Sequence, residues 1–291
     1  MKNIRSISTR TQLCAIIGNP VTHSLSPAIH NAAFAELGID FVYVAFRVEN
    51  VKHALAGMRA LKNFRGMSVT IPHKIDAMSH VDEIADVDLN IGSINTIINE
   101  NGKLIGLGTD GPGALKAILD AGVEIADKRI LMLGSGGAAR AIAFTLARKT
   151  SLKELLILDI NEPLIKKLAN DLTAGTEADI KSGLLTDVKL ADAMETADII
   201  VHCTPIGMNP KEGVSLVAKK LFRPGQVVFD IVYTPLETKL LSDAKACGLK
   251  VISGVEMFIN QAVLQFEKFT GEKAPIDVMR QVVYEKLGAI S

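Results

Sequence analysis

The sequence predicts an α/β protein of two domains: an N-terminal α/β domain with a mostly parallel sheet, then a doubly wound domain. Three observations predict it. A chain of 291 residues is long enough for about two domains of ~150 residues. Short apolar runs alternate with amphipathic stretches along the whole length, with no fixed-period repeat and no low-complexity tract. Near Lys128 a second series of such runs begins, and its first strand enters a glycine-rich turn.

The elements follow in order. Met1–Gln12 is basic and rich in Ser and Thr, with no long apolar segment behind it, and reads as a frayed tail. Leu13–Ile17 is a strand. Ser26–Leu37 is a helix that Ser26 can cap, with Pro27 at its first position and Gly38 as its stop. Phe41–Val48 and Val51–Leu61 are the next strand and helix, and Met67–Ile71 is a strand halted by Pro72. Ile94–Ile98 and Leu104–Leu107 make a hairpin around Asn101-Gly102. A helix opens at Asp110 and runs to Leu119, with Gly122 beyond it. In the second series, Arg129–Leu133, Leu155–Asp159, Ile199–Cys203, Val227–Val232 and Lys250–Ile252 are strands, while Ala138–Arg148 and Pro163–Leu172 are helices. Gly254–Thr270 and Pro275–Leu287 are helical, and their apolar faces need cover, so they are expected to return to the first domain.

Hydrophobic residues at 48% and charged residues at 22% exclude intrinsic disorder. Lys plus Arg equals Asp plus Glu at 32 each, so the chain lacks the basic field that gathers nucleic acid or an anionic membrane surface. Cys14, Cys203 and Cys247 are odd in number and far apart, which fits reduced thiols in the cytoplasm. The histidines show no metal-ligand spacing, so no metal is expected.

Gly134-Ser135-Gly136-Gly137-Ala138-Ala139 fits the G-x-G-x-x-A pattern after an apolar strand and at the mouth of a helix. Gly134 serves the tight turn, and Gly136 lets backbone approach a pyrophosphate at the helix N-terminus. This makes the second domain Rossmann-like. Asp159 ends the next strand, about 20 residues on, where a carboxylate accepts from the adenosine ribose hydroxyls and repels a 2′-phosphate. No Arg follows in residues 160–162, so NAD is expected over NADP. The competing reading of Asp159 is a cap for the following helix, although Asn161 would serve as well.

The first domain carries three polar clusters. Ser24 and Ser26 offer hydroxyls and free N–H groups to a carboxylate, or Ser26 is only an N-cap. Ser68 and Thr70 share one strand face, and Lys74 follows Pro72 in a constrained turn or as a solvated lysine. Gly108-Thr109-Asp110-Gly111 permits close approach of a ligand, with Asp110 as reacting group or helix cap. Asn95 is an odd residue for an apolar strand and needs a polar partner if buried. His73 reads as solvated, and His202 and Cys203 as packing on opposite faces of a strand.

Ser24-Leu25-Ser26-Pro27 with His30-Asn31, Val69-Thr70-Ile71-Pro72-His73-Lys74, Gly92-Ser93-Ile94-Asn95-Thr96, Thr109-Asp110-Gly111, Gly134 to Ala138 and Gln261-Ala262 stand in that order. Together they resemble the shikimate dehydrogenase family, including its quinate/shikimate branch, from about Cys14 to Phe269. The resemblance implies a substrate-binding and catalytic domain of residues 1–112 plus 255–291, and a Rossmann NAD(P)-binding domain of residues 113–254. It implies reversible oxidation of a ring hydroxyl of shikimate or quinate by a monomer or homodimer. It places Ser24 and Ser26 on the substrate carboxylate and Thr70, Asn95 and Gln261 on ring hydroxyls. Lys74 and Asp110 then flank the reacting hydroxyl, and Tyr233 faces both ligands. Gly134, Ser135, Gly136, Gly137 and Ala138 cradle the pyrophosphate, and Thr204, Met208, Val232 and Gly254 line the nicotinamide pocket. Two positions depart from the family, which usually has Asn where Ser68 and Gly108 stand here. A related substituted cyclohexene or cyclohexane carboxylate is therefore an alternative substrate, and a catalytically silent dinucleotide-binding regulator an alternative function. In the expected chemistry Lys74 exchanges a proton with the substrate hydroxyl, which requires its desolvation, and Asp110 orients it.

Overall fold

Apolar side chains fill the strand Gln12–Gly18 (β1) so densely that Cys14, Ala15 and Ile17 are wholly buried, as a strand covered on both faces requires. A computed structural model describes residues 7–288 of the chain. The described chain divides into two compact units, one reaching Thr109 and resuming at Gln261, the other spanning Asp110–Asn260.

The first unit contains β1, α1 (Ser26–Glu36), β2 (Phe41–Arg47), α2 (Val51–Ala60), β3 (Phe64–Val69), the short strand β4 (Glu83–Ile84), α3 (Asp86–Ile91), β5 (Thr96–Glu100) and β6 (Lys103–Leu107). Its six-stranded sheet has the order β2-β1-β3-β5-β6-β4. The sheet is mixed: β1 runs parallel to β2 and β3, whereas β5 is antiparallel to both β3 and β6. The β5–β6 hairpin turns at Asn101 and Gly102, both at positive φ (57° and 98°), and the Asn99 side chain accepts from the Gly102 N–H. Val51, Leu55, Phe64, Met67, Ile94, Ile97 and Leu104 close one core against the sheet.

The tail expected over Met1–Gln12 does not extend to Gln12, which opens β1. Met1–Ser6 lie outside the described residues, but Thr11 is buried, donates its hydroxyl to Asp40 and leads directly into β1. Ser26 does not cap α1. It is the first helical residue, and the Ser24 hydroxyl accepts from its N–H at 3.2 Å. The strand expected to reach Ile71 ends at Val69, because Thr70 to His73 already form a turn (His73 N–H to the Thr70 carbonyl, 3.0 Å). Asn95 precedes β5 and does not lie within it.

The second unit contains α4 (Asp110–Asp120), β7 (Arg129–Leu133), α5 (Gly137–Lys149), β8 (Glu154–Asp159), α6 (Glu162–Gly175), β9 (Ile180–Leu184), α7 (Asp187–Thr196), β10 (Ile199–His202), β11 (Val227–Asp230), α8 (Lys239–Ala246) and β12 (Lys250–Ser253). All six strands are parallel in the order β12-β11-β10-β7-β8-β9, the doubly wound arrangement of a Rossmann-like fold. Its ligand crevice lies beyond the carboxyl ends of β7 and β10, where the strand order reverses. Asn161, Thr186 and Thr238 cap α6, α7 and α8 with side-chain oxygens, each worth about 1 kcal/mol. Gly111 has no room for a side chain, since a Cβ there would stand 2.0 Å from Thr145 Oγ1 and 2.4 Å from the Ala141 carbonyl. This contact seats the start of α4 on α5 and so fixes where Asp110 emerges.

The helix α9 (Gly254–Thr270) carries the chain from the second unit back to the first, and α10 (Ile276–Lys286) packs on α1. Phe266 and Phe269 join Phe34, Tyr43 and His30 in an aromatic cluster within the first unit.

Candidate active site

In the first unit, backbone hydrogen bonds bring three chain segments to one place. The Val69 N–H reaches the Asn95 carbonyl (2.7 Å), the Ile94 N–H reaches the Lys74 carbonyl (3.0 Å), and the Asn95 N–H reaches the Leu107 carbonyl (3.2 Å). Thr70, Lys74, Asn95 and Thr109 therefore lie together although they are spread over some forty positions of sequence. Lys74 is half-buried in the turn after β3. That turn is anchored by His73, which is buried with Nε2 2.7 Å from the Val48 carbonyl, contrary to the solvated histidine expected. The Thr70 methyl covers Gly18 so closely that a Cβ at Gly18 would fall 2.4 Å from it.

A buried polar seam runs through this region. Tyr43 Oη donates to Ser68 Oγ (2.6 Å), and Ser68 Oγ donates to Gln265 Oε1 (2.8 Å). Gln265 Nε2 donates to Thr96 Oγ1 (2.9 Å), and Thr96 Oγ1 donates to Asn95 Oδ1 (3.0 Å). Asn95 Nδ2 donates to Thr109 Oγ1 (3.0 Å), Asn95 Oδ1 accepts from the Thr109 N–H (2.8 Å), and Thr109 Oγ1 reaches Gln261 Oε1 (3.4 Å). The side-chain donors run from Tyr43 to Asn95 and on to Thr109, the Thr109 N–H donates back to Asn95, and the Thr109 hydroxyl faces both Asn95 Oδ1 (3.3 Å) and Gln261 Oε1 (3.4 Å). Burial pushes the Tyr43 phenol strongly up. Tyr43 and Gln265 escaped the sequence reading. A tyrosine on an alternating strand and a glutamine one turn beyond Gln261 carry no local signal, and their partners lie up to 197 residues away.

Asn95 thus finds the partners its burial demands. Gly108 also has a structural reason: a Cβ there would stand 2.5 Å from Asp88 Oδ1, and Asp88 is itself buried. The acid of α3 occupies the room that a side chain at position 108 would need.

In the second unit Gly134 has φ 111° and lies against the Cys203 carbonyl, 2.8 Å from where its Cβ would be, and 3.2 Å from the Thr204 methyl. The glycine turn after β7 and the loop after β10 therefore meet at the reversal of strand order. Gly136 and Gly137 have open space where side chains would project, and α5 begins without a side-chain cap. Its first N–H groups form a ready cradle for a phosphate. These features fit a dinucleotide. Asp159 does not cap α6, which Asn161 does. Its Oδ2 accepts from the Ser135 N–H (2.6 Å) and hydroxyl (2.7 Å), and its Oδ1 from the Ile160 and Asn161 N–H groups (2.6 and 3.1 Å).

His202 is more than packing. Its Nδ1 lies 2.9 Å from Asp230 Oδ1 and its Nε2 2.6 Å from Thr204 Oγ1, while Asp230 Oδ2 accepts from Thr238. This buried set holds Thr204 at the end of β10. Tyr233 stacks on Phe258 at 5.1 Å, and burial raises its phenol. Val232 is buried, Met208 is exposed, and Gly254 allows the start of α9 to pass 2.3 Å (Cβ position) from the Ile231 carbonyl. Asp110 opens α4 in this unit, where its carboxylate complements the helix dipole. Among the described residues no group of His, Cys, Asp and Glu is placed to hold a metal, and no helix is long and apolar enough to cross a membrane.

The family model of the shikimate dehydrogenase substrate binding domain matches residues 16–97, and that of the shikimate 5′-dehydrogenase C-terminal domain matches residues 254–284. A shikimate dehydrogenase (NADP(+)) of Moorella thermoacetica is 42% identical over 98% of this chain and 97% of its own. The chain belongs to the shikimate/quinate dehydrogenase family. Among solved members of the family, the shikimate 5-dehydrogenase of Listeria monocytogenes, in complex with shikimate and NAD, superposes with a TM-score of 0.91 at 32% identity, covering 96% of this chain and 98% of that one. A shikimate dehydrogenase in complex with NADP+ superposes with a TM-score of 0.86 at 40% identity, covering 97% and 98%. Members of the shikimate dehydrogenase family thus pair with either dinucleotide.

Proposed function

We propose that this chain catalyses the reversible NAD(P)-dependent oxidation of a ring hydroxyl of shikimate to the ketone, 3-dehydroshikimate, with NAD as the preferred dinucleotide. The observation that carries the reading is the seam ending on Asn95, Thr109 and Gln261, a buried and oriented set of amide and hydroxyl groups suited to a polyhydroxylated ring. Ser24 and Ser26, at the start of α1, bind the substrate carboxylate, and Thr70, Asn95 and Gln261 hold ring hydroxyls. Lys74 takes the hydroxyl proton on Nζ during oxidation and returns it to the carbonyl oxygen during reduction. Asp110 orients the reacting hydroxyl and Lys74, and Tyr233 borders both ligands. Accepting and returning the hydride is the chemistry the dinucleotide supplies when bound. Gly134, Ser135, Gly136, Gly137 and Ala138 hold its pyrophosphate, and Thr204, Met208, Val232 and Gly254 border its nicotinamide. Asp159, with no Arg in residues 160–162, favours a free ribose over a 2′-phosphate.

Gly108 and its neighbour Asp88 favour one second reading, a related substituted cyclohexene carboxylate as substrate, because an acid stands beside the hydroxyl-binding segment. Steady-state rates for shikimate and quinate against NAD and NADP test both. The expected result is the highest kcat/KM for shikimate with NAD. A higher value with NADP overturns the dinucleotide preference, and dinucleotide binding without turnover of either acid makes the chain a silent binding protein.

A further inference from the structure

A carboxylate offers about four lone-pair sites, two on each oxygen. At Asp159 all four are taken: Oδ1 by the N–H groups of Ile160 and Asn161, Oδ2 by the N–H and the hydroxyl of Ser135. Three of these donors are main-chain groups, fixed by the β8–α6 connection and by the glycine turn. The fourth, the Ser135 hydroxyl, is a side-chain rotor that can turn away. A ribose hydroxyl that donates to Asp159 therefore competes with Ser135 for one acceptor site.

We propose that Ser135 tunes dinucleotide affinity: its hydroxyl occupies the Asp159 acceptor site that a ribose hydroxyl needs, and must leave it when the dinucleotide binds. Removing the hydroxyl frees the site, while the three main-chain N–H groups keep the carboxylate in place. The inference rests on the reading that Asp159 receives the adenosine ribose. It makes the Ser135 hydroxyl a group that weakens NAD binding, distinct from the part the Ser135 main chain takes in the glycine turn.

Isothermal titration of the full chain with NAD, NADP and 2′-deoxy-NAD tests it in the parent, Ser135→Ala and Ser135→Gly. The expected Kd for NAD falls about three- to tenfold in both variants, the size of one ordinary net hydrogen bond no longer displaced. The expected Kd for NADP does not fall, and most of the gain vanishes with 2′-deoxy-NAD. An unchanged or raised Kd for NAD in a variant with the parent's thermal midpoint overturns the proposal, as does an equal gain for all three ligands. If Ser135→Ala folds poorly, Ser135→Gly gives the same readout without a buried methyl group. The preference for NAD itself is read from the parent alone, so its failure is separate from that of Ser135.

Discussion

Replacing Asn95 by Ala probes the seam at its hub. Asn95 is 4% exposed, its Nδ2 donates to Thr109 Oγ1, and its Oδ1 accepts from the Thr109 N–H and from Thr96 Oγ1. The two hydroxyls lie 3.5 Å apart and can pair with each other once the amide is gone. The Thr109 N–H has no such recourse, since Thr109 is 2% exposed. An orphaned buried N–H costs about 1–3 kcal/mol, and the small void left by the amide adds about 1 kcal/mol. A total of about 3 kcal/mol corresponds to a fall of about 6–12 °C in the thermal midpoint of a unit this size. Thermal denaturation followed by circular dichroism reads it, with turnover of shikimate measured in parallel below the transition. A midpoint within about 2 °C of the parent would falsify the seam as a structural element and leave Asn95 as a ligand contact alone.

Three further results are expected. His30 is wholly buried, stacked on Tyr43 at 4.4 Å, and neither ring nitrogen has a hydrogen-bond partner among the described residues; burial pulls its pKa down to about 3. The unfolded chain then takes up this proton near pH 6.5 while the folded one does not, so stability falls as the pH drops, by about 2 kcal/mol between pH 7 and pH 5. In urea denaturation His30→Phe should lose less stability over that interval by about this amount, and an identical pH slope in both proteins would count against a neutral buried His30. Ser24→Ala should raise the KM for shikimate with little change in kcat, and an unchanged KM would return Ser24 to its bond with the Ser26 N–H alone. Gly111→Ala forces α4 off α5, given the 2.0 Å approach to Thr145, and should lower the thermal midpoint by at least about 5 °C; a parent-like midpoint would contradict that packing.

Much of the fold was legible because local chemistry decides it. The Asn101-Gly102 turn announces the β5–β6 hairpin through residues that tolerate positive φ. The run Gly134 to Ala139 sits where a parallel strand must turn into a helix. The weakest elements were not legible: β9 is an exposed edge strand with polar Lys181 and Ser182, and α7 has no strong apolar stripe. At the candidate site, motifs singled out Asn95, Gln261 and Lys74, but not the buried contacts around Asn95 and Gln261. Tyr43, Gln265 and the His202–Asp230 pair act through contacts across the sheet and along α9, which no local spacing encodes. Asp159 was found as a carboxylate at a strand end, whereas the bond that ties it to Ser135 depends on the neighbouring strand.

Kinetics of Lys74→Ala with shikimate and NAD bear most directly on the central claim. With the ammonium gone and the thermal midpoint kept, kcat should fall by about 10²–10⁴ while the KM for shikimate moves by less than about threefold. A kcat within about a factor of ten of the parent's would remove Lys74 from proton transfer and the mechanism with it.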